Sequence, residues 1–225
     1  MPKNGRNLVK RFDLIVFDWD GTLMDSAGAI VASVQAAACD LGLEPPPDER
    51  ARHIIGLGLG DALRHALPEL EEHRYAELTD RYRFHYLSQD HELKLFDGIQ
   101  ELIHELAEAG YPLAVATGKS RLGLNRAMEH SGLGHYFHAS RCADECFSKP
   151  HPQMLDELVA EFAVTPEATL MIGDTTHDLQ MAANAGVASV AVSYGAHTVD
   201  ALAQVPSLHC ASTVPELRAW LKANA

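Results

Sequence analysis

Four apolar residues, Leu14-Ile15-Val16-Phe17, run straight into Asp18-Trp19-Asp20-Gly21-Thr22, and few folds can use that combination. A short apolar run bounded by polar and glycine residues reads as a buried strand that delivers its carboxylates to the end of a sheet. Alternation along an extended chain puts Asp18 and Asp20 on one side. Two carboxylates facing one spot repel unless a cation or a shared proton relieves them. That points to a chemical site, because perturbed carboxylates gather where function resides.

With 225 residues the chain can bury a full core, as one large domain or a main domain with an insertion. A formal net charge of −13 argues against nucleic acid or an anionic membrane as the main partner. A small anionic substrate remains open, since a site needs only local positive charge. Cys39, Cys142, Cys146 and Cys210 lack a zinc-like double pair. They are expected as reduced, buried thiols in a cytoplasmic protein. The N-terminal MPKNGRNLVKRF is polar and basic, without an apolar signal core, and no run approaches the roughly 20 residues of a membrane helix.

Beyond the first strand, Ile30, Val31, Val34, Ala37, Ala38 and Leu41 recur at helical spacing behind a candidate cap at Ser26, and Asp48 is a candidate cap for a second helix. Ile54-Ile55-Gly56-Leu57-Gly58-Leu59-Gly60 superficially resembles a nucleotide loop, but it lacks a preceding strand and a following Lys-Ser/Thr. It reads as a turn between helices that comes close to a substrate. Residues 25–93 are expected to be an all-helical inserted domain, with 1–24 and 94–225 forming the core. In that core, strands at 112–116, 136–139, 169–172, 188–192 and 208–211 alternate with helices. The pattern calls for a Rossmann-like, doubly wound α/β fold with a parallel sheet covered on both faces.

Such sheets bind ligands beyond the carboxyl ends of their strands. At those ends stand Asp18 and Asp20, then Thr117-Gly118-Lys119-Ser120, then Gly173-Asp174-Thr175-Thr176-His177-Asp178, with Lys149-Pro150 ahead of a helix. The Thr117 turn opens a helix and suits a phosphate oxygen. Clustered carboxylates without histidine or cysteine at metal spacing favour a hard cation, with Mg²⁺ the default. Mg²⁺, a lysine and backbone donors together describe a phosphoryl-binding site, where one carboxylate can act as nucleophile.

These four motifs, in this order, resemble the haloacid dehalogenase superfamily in its phosphatase branch with a helical cap. The stretch from Lys149 to Gly195 is most similar to phosphoglycolate phosphatases. The resemblance implies that Asp18 is the nucleophile and Asp20 the general acid and base. It implies that Thr117, Gly118 and Lys149 bind the phosphoryl group, and that Asp18, Asp20 and Asp174 hold Mg²⁺. Asp178 is expected to orient Lys149 or a metal-bound water. It also implies turnover of a small phosphate monoester, phosphoglycolate or a sugar phosphate, with a β-phosphoglucomutase-type phosphomutase and a non-enzymatic phospho-receiver as alternatives.

Other residues are expected to matter less. Lys119 is read as touching phosphate or solvated, and Asp25 and Ser26 as the hinge. Arg52, His53 and Arg64 are read as surface residues with some reach toward substrate, Trp19 as packing away from the acids, and His177 and His197 as exposed loop histidines.

Overall fold

The computed structural model describes residues 11–225. The reading of MPKNGRNLVKRF as a polar, basic stretch without an apolar signal core falls mostly on residues 1–10, outside the described residues. The chain runs β1 (Leu14–Phe17), α1 (Ala27–Asp40), α2 (Asp48–His53), α3 (Leu59–Ala66) and α4 (Tyr75–Gln89), then α5 (Ile99–Glu108), β2 (Leu113–Thr117), α6 (Arg121–Ser131) and β3 (Ala139–Cys142). It continues through α7 (Gln153–Glu161), β4 (Thr169–Gly173), α8 (Thr176–Asn184), β5 (Ala188–Val192), α9 (Val199–Leu202), β6 (Cys210–Ala211) and α10 (Val214–Asn224). All strand pairs are parallel, in the order β3-β2-β1-β4-β5-β6.

β1 lies inside the sheet, with Ile15 opposite both Leu113 and Leu170, and every one of its residues is buried. A strand covered on both faces has no polar side to keep, which explains its unbroken apolar run. Phe12, Ile15, Phe17 and Trp19 pack with α5 and α10 on one face, whereas Leu14 and Val16 pack with Met154, Leu155 and Leu158 of α7 on the other. Trp19 turns into that first core beside Phe137, away from the acids, as expected.

Three readings of the sequence need correction here. The third strand begins at Ala139, not Tyr136, which ends a short 3₁₀ turn at Gly134–Tyr136. It is an edge strand, so Ser140 and Arg141 are tolerated where an apolar pattern was sought. Asp48 is the first residue of α2 rather than its cap, and its carboxylate accepts from Gln35 Nε2. The thiols are all free, but only Cys142 is buried, and burial pushes its pKa up to about 12.

Between β1 and β2 the helical insertion α1–α4 builds a small core of its own around Val34, Ala37, Leu63, Ala66 and Leu78. Its two connections to the sheet run side by side: Asp25 N–H donates to Lys94 O, and Phe96 N–H to Leu23 O. No helix among the described residues is long and apolar enough to cross a membrane.

Candidate active site

The carboxyl ends of β1, β2 and β4 bring the predicted residues together. Asp18 continues β1, its N–H bonded to Ile172 O at 2.9 Å, and its carboxylate is fully buried. The next turn needs Gly21, which has φ +80° and whose missing Cβ would collide with the Asp174 carboxylate. From that turn Thr22 Oγ1 donates to Asp174 Oδ1 at 2.9 Å, and Ala196 N–H donates to Asp174 Oδ2 at 2.7 Å.

Lys149 Nζ lies 2.7 Å from both Asp18 Oδ1 and Asp178 Oδ1. Asp178 is held in turn by a capping box at the start of α8: Thr175 donates to Asp178 Oδ2 through N–H at 3.1 Å and through Oγ1 at 2.6 Å. Both oxygens of Asp178 are thus occupied, one of them by Lys149. Burial opposes charge on Lys149, but the carboxylates of Asp178 and Asp18 outweigh it and raise the ammonium pKa.

The carboxylates of Asp18, Asp174 and Asp178 converge within 4.8 Å, all buried, with one ammonium among them. Burial first, then the neighbouring acids, push Asp18 up to about 7 and Asp174 well above the usual carboxylate range. Asp18 Oδ2 is buried and has no hydrogen-bond partner. An orphaned buried carboxylate oxygen is costly unless something answers it. Three acids and one lysine leave an excess negative charge that a divalent, oxygen-seeking cation neutralises, so the residues fit Mg²⁺.

The Asp20 side chain makes contacts separate from that group of three. Its Oδ1 accepts from Ser26 Oγ at 2.6 Å, and its Oδ2 lies 2.9 Å from Lys119 Nζ. Ser26 therefore holds the N-cap position of α1 without capping it, because its hydroxyl is spent on Asp20. Lys119 is not simply solvated: it also donates to Tyr86 OH of α4 at 2.9 Å, and it lines the cavity that Asp18 lines. Burial opposes its charge, yet Asp20 and Tyr86 outweigh that and raise its pKa. Tyr86 was not legible as a site residue, since it is joined to Lys119 only through the fold.

The glycine-bearing turn between α2 and α3 does come down on the site. A Cβ on Gly118 would stand 2.5 Å from both Gly56 O and Leu57 O, so Gly118 is demanded by the close approach of this loop. Gly58 N–H is anchored to Ser148 Oγ at 2.9 Å, next to Lys149. Together the insertion and the sheet edge enclose a cavity of about 840 Å³ with Asp18, Asp20, Thr117 and Gly118 among its lining residues.

Arg52, His53 and Arg64 do not line that cavity. Arg64 pairs with Glu72 at 2.6 Å on the surface. His177 and His197 are half-buried and buried rather than exposed, and their Nε2 atoms donate to His53 O at 2.7 and 3.2 Å. His197 Nδ1 accepts from Thr176 N–H at 3.0 Å, so both of its nitrogens are used. Burial holds His197 down to about 4 and lowers His177. His177 and His197 clasp the end of α2 to the core through His53 O, and His197 has no lone pair left to offer.

Comparison with known proteins agrees with this geometry. The family model for haloacid dehalogenase-like hydrolases matches residues 15–192. The chain is 39% identical over 197 residues to the probable phosphatase IndB of Dickeya dadantii, covering 84% of each chain. It is 33% identical over 209 residues to a 5'-nucleotidase of Pseudomonas aeruginosa, covering 92% of this chain and 94% of that one. Among solved structures, a predicted phosphoglycolate phosphatase from Haemophilus somnus superposes with a TM-score of 0.84 and 26% identity, over 96% of this chain and 100% of that one.

Proposed function

Because this chain belongs to the haloacid dehalogenase-like hydrolase family and is a phosphoric monoester hydrolase, we propose that it hydrolyses a small phosphorylated metabolite through a phosphorylated Asp18, with Mg²⁺ as cofactor. The observation that carries this reading is the buried group of Asp18, Asp174 and Asp178 around one lysine, with Asp18 Oδ2 left unanswered. Residues 25–93 are taken as the cap and the remainder as the catalytic core.

In the first step Asp18 Oδ1, held beside Lys149 at 2.7 Å, attacks phosphorus. The bond to the leaving oxygen breaks, and Asp20 gives that oxygen its proton. In the second step water attacks phosphorus, Asp20 accepts a proton from it, and the bond to Asp18 breaks to release inorganic phosphate. The Thr117 hydroxyl and the N–H groups after it receive the phosphoryl oxygens, because donors fixed before reaction need no reorganisation as charge moves. Asp18 and Asp174 would hold Mg²⁺, which when bound would supply positive charge to offset the phosphoryl oxygens. Positioning and charge neutralisation supply most of the catalysis of phosphoryl transfer.

The test is hydrolysis of 4-nitrophenyl phosphate with and without Mg²⁺. Release of free phosphate that stops with chelator and returns with Mg²⁺ is expected, with no need for a bisphosphate activator. Undiminished activity in excess chelator would overturn the metal assignment, and a requirement for a bisphosphate would favour a phosphomutase.

A further inference from the structure

Asp20 is held from two sides by the helical insertion. Ser26 stands just ahead of α1, and its Oγ donates to Asp20 Oδ1 at 2.6 Å. On the other side Lys119 Nζ lies 2.9 Å from Asp20 Oδ2 and 2.9 Å from Tyr86 OH, in the last turn of α4. The core supplies the acid and the lysine, and the insertion supplies the two hydroxyls that fix them.

An ammonium on a four-carbon stem is a flexible point charge, placed by its partners rather than by its own geometry. The Lys119 side chain is only 10% exposed, and its Nζ meets Asp20 and Tyr86. Loss of the Tyr86 hydroxyl leaves a largely buried ammonium one partner short, and only water in the cavity can replace it. A lysine drawn toward that water relaxes its hold on Asp20 Oδ2. Tyr86 itself is placed without help from Lys119. Its ring stacks on Tyr82 with centroids 5.8 Å apart, and both pack against a cluster that includes Ile30 and Val31 of α1 and Ala196 of the core. Ala196 in turn gives its N–H to Asp174 Oδ2. The apolar cluster that seats Tyr86 is therefore tied to the core at the site itself.

We propose that Tyr86 is a positioning residue for the proton transfer: its hydroxyl fixes Lys119, and Lys119 fixes Asp20 toward the leaving oxygen. The assignment rests on the phosphatase reading above, in which Asp20 carries the proton. It adds that the acid is complete only with α4 seated, so the insertion takes part in the chemistry as well as covering it.

The experiment measures kcat/KM for phenyl phosphate and 4-nitrophenyl phosphate at saturating Mg²⁺ in the wild type, Tyr86→Phe, Lys119→Met and the double variant. Phenyl phosphate needs a proton on its leaving oxygen, whereas 4-nitrophenolate leaves without one, so the first ester reports how well Asp20 is aimed. Tyr86→Phe keeps the ring, its stack on Tyr82 and its apolar contacts. It should lose about tenfold on phenyl phosphate, the lower end of what removal of a supporting partner costs, and clearly less on 4-nitrophenyl phosphate. In the Lys119→Met background the same substitution should add no further loss, because both act through one contact. A general loosening of the fold lowers both esters together, so an equal loss on the two would overturn the assignment. Losses that multiply in the double variant, the sign of a direct contact between Tyr86 and substrate, would overturn it too, as would wild-type kinetics in Tyr86→Phe. If the wild-type protein released phosphate from neither ester, the phosphatase reading would fall and this assignment with it.

Discussion

At the scale of single residues, the site divides its labour by what each carboxylate touches. Asp18 lies against Lys149 and retains one unanswered oxygen, whereas Asp20 has both oxygens held, by Ser26 and Lys119. Asp20→Asn removes the proton carrier and should lower kcat by about 10²–10⁴-fold, with circular dichroism unchanged. Lys119→Met leaves Asp20 in place but loosens it, and a loss of about 10–100-fold is expected, the range found when a supporting partner is removed. A shifted pH–rate profile in Lys119→Met would mark its action through Asp20; an unchanged kcat and profile would remove it from the account. The role of Ser26 went unread in the sequence because a serine before a helix has an ordinary use as a cap.

At the scale of elements, the strand ends were legible and the contacts between elements were not. β1 announced itself because a strand buried on both faces must be apolar throughout, and its carboxylates must then emerge where the sheet ends. The Asp174–Asp178 spacing was legible for the same local reason, being the first turn of a helix. β3 was misplaced because its polar Ser140 and Arg141 sit on an edge, where burial does not dictate residue type. The Tyr86–Lys119 hydrogen bond joins α4 to the end of β2 across a distance in sequence that no local pattern records. Two substitutions test the elements directly. Thr175→Ala opens the capping box of α8 and should cost about 1 kcal/mol in chemical denaturation, with activity falling as Asp178 loses its orientation and Thr175→Ser restoring both. Gly118→Ala places a Cβ 2.5 Å from Gly56 O and Leu57 O, so the loop must lift from the site. A drop in kcat/KM with an unaltered melting temperature for the core is expected, and wild-type turnover would show that the loop need not sit there.

At the scale of the whole molecule, the buried acids make stability depend on pH and metal together. In the chelated protein Asp18 has its pKa raised from 3.8 to about 7, so the folded state binds its proton more tightly than the unfolded state. The stability this contributes is complete below about pH 3.8 and is lost as pH rises through about 7. Thermal unfolding in chelator should therefore show a falling melting temperature over that window. Mg²⁺ at about 100 times its dissociation constant adds about 2.7 kcal/mol, or roughly 5–10 °C for a chain of this size. That shift should grow with pH and vanish in Asp174→Asn. A shift independent of pH would mean that the cation binds elsewhere.

The central claim is that Asp18 carries the phosphoryl group. Its most direct test is acid quenching of the Asp20→Ala variant during turnover of 4-nitrophenyl phosphate with Mg²⁺, followed by peptide mass mapping. A phosphate adduct on Asp18, absent when Asp18→Asn is added, is the predicted result; turnover that survives in Asp18→Asn, with no covalent phosphate on the chain, would contradict it.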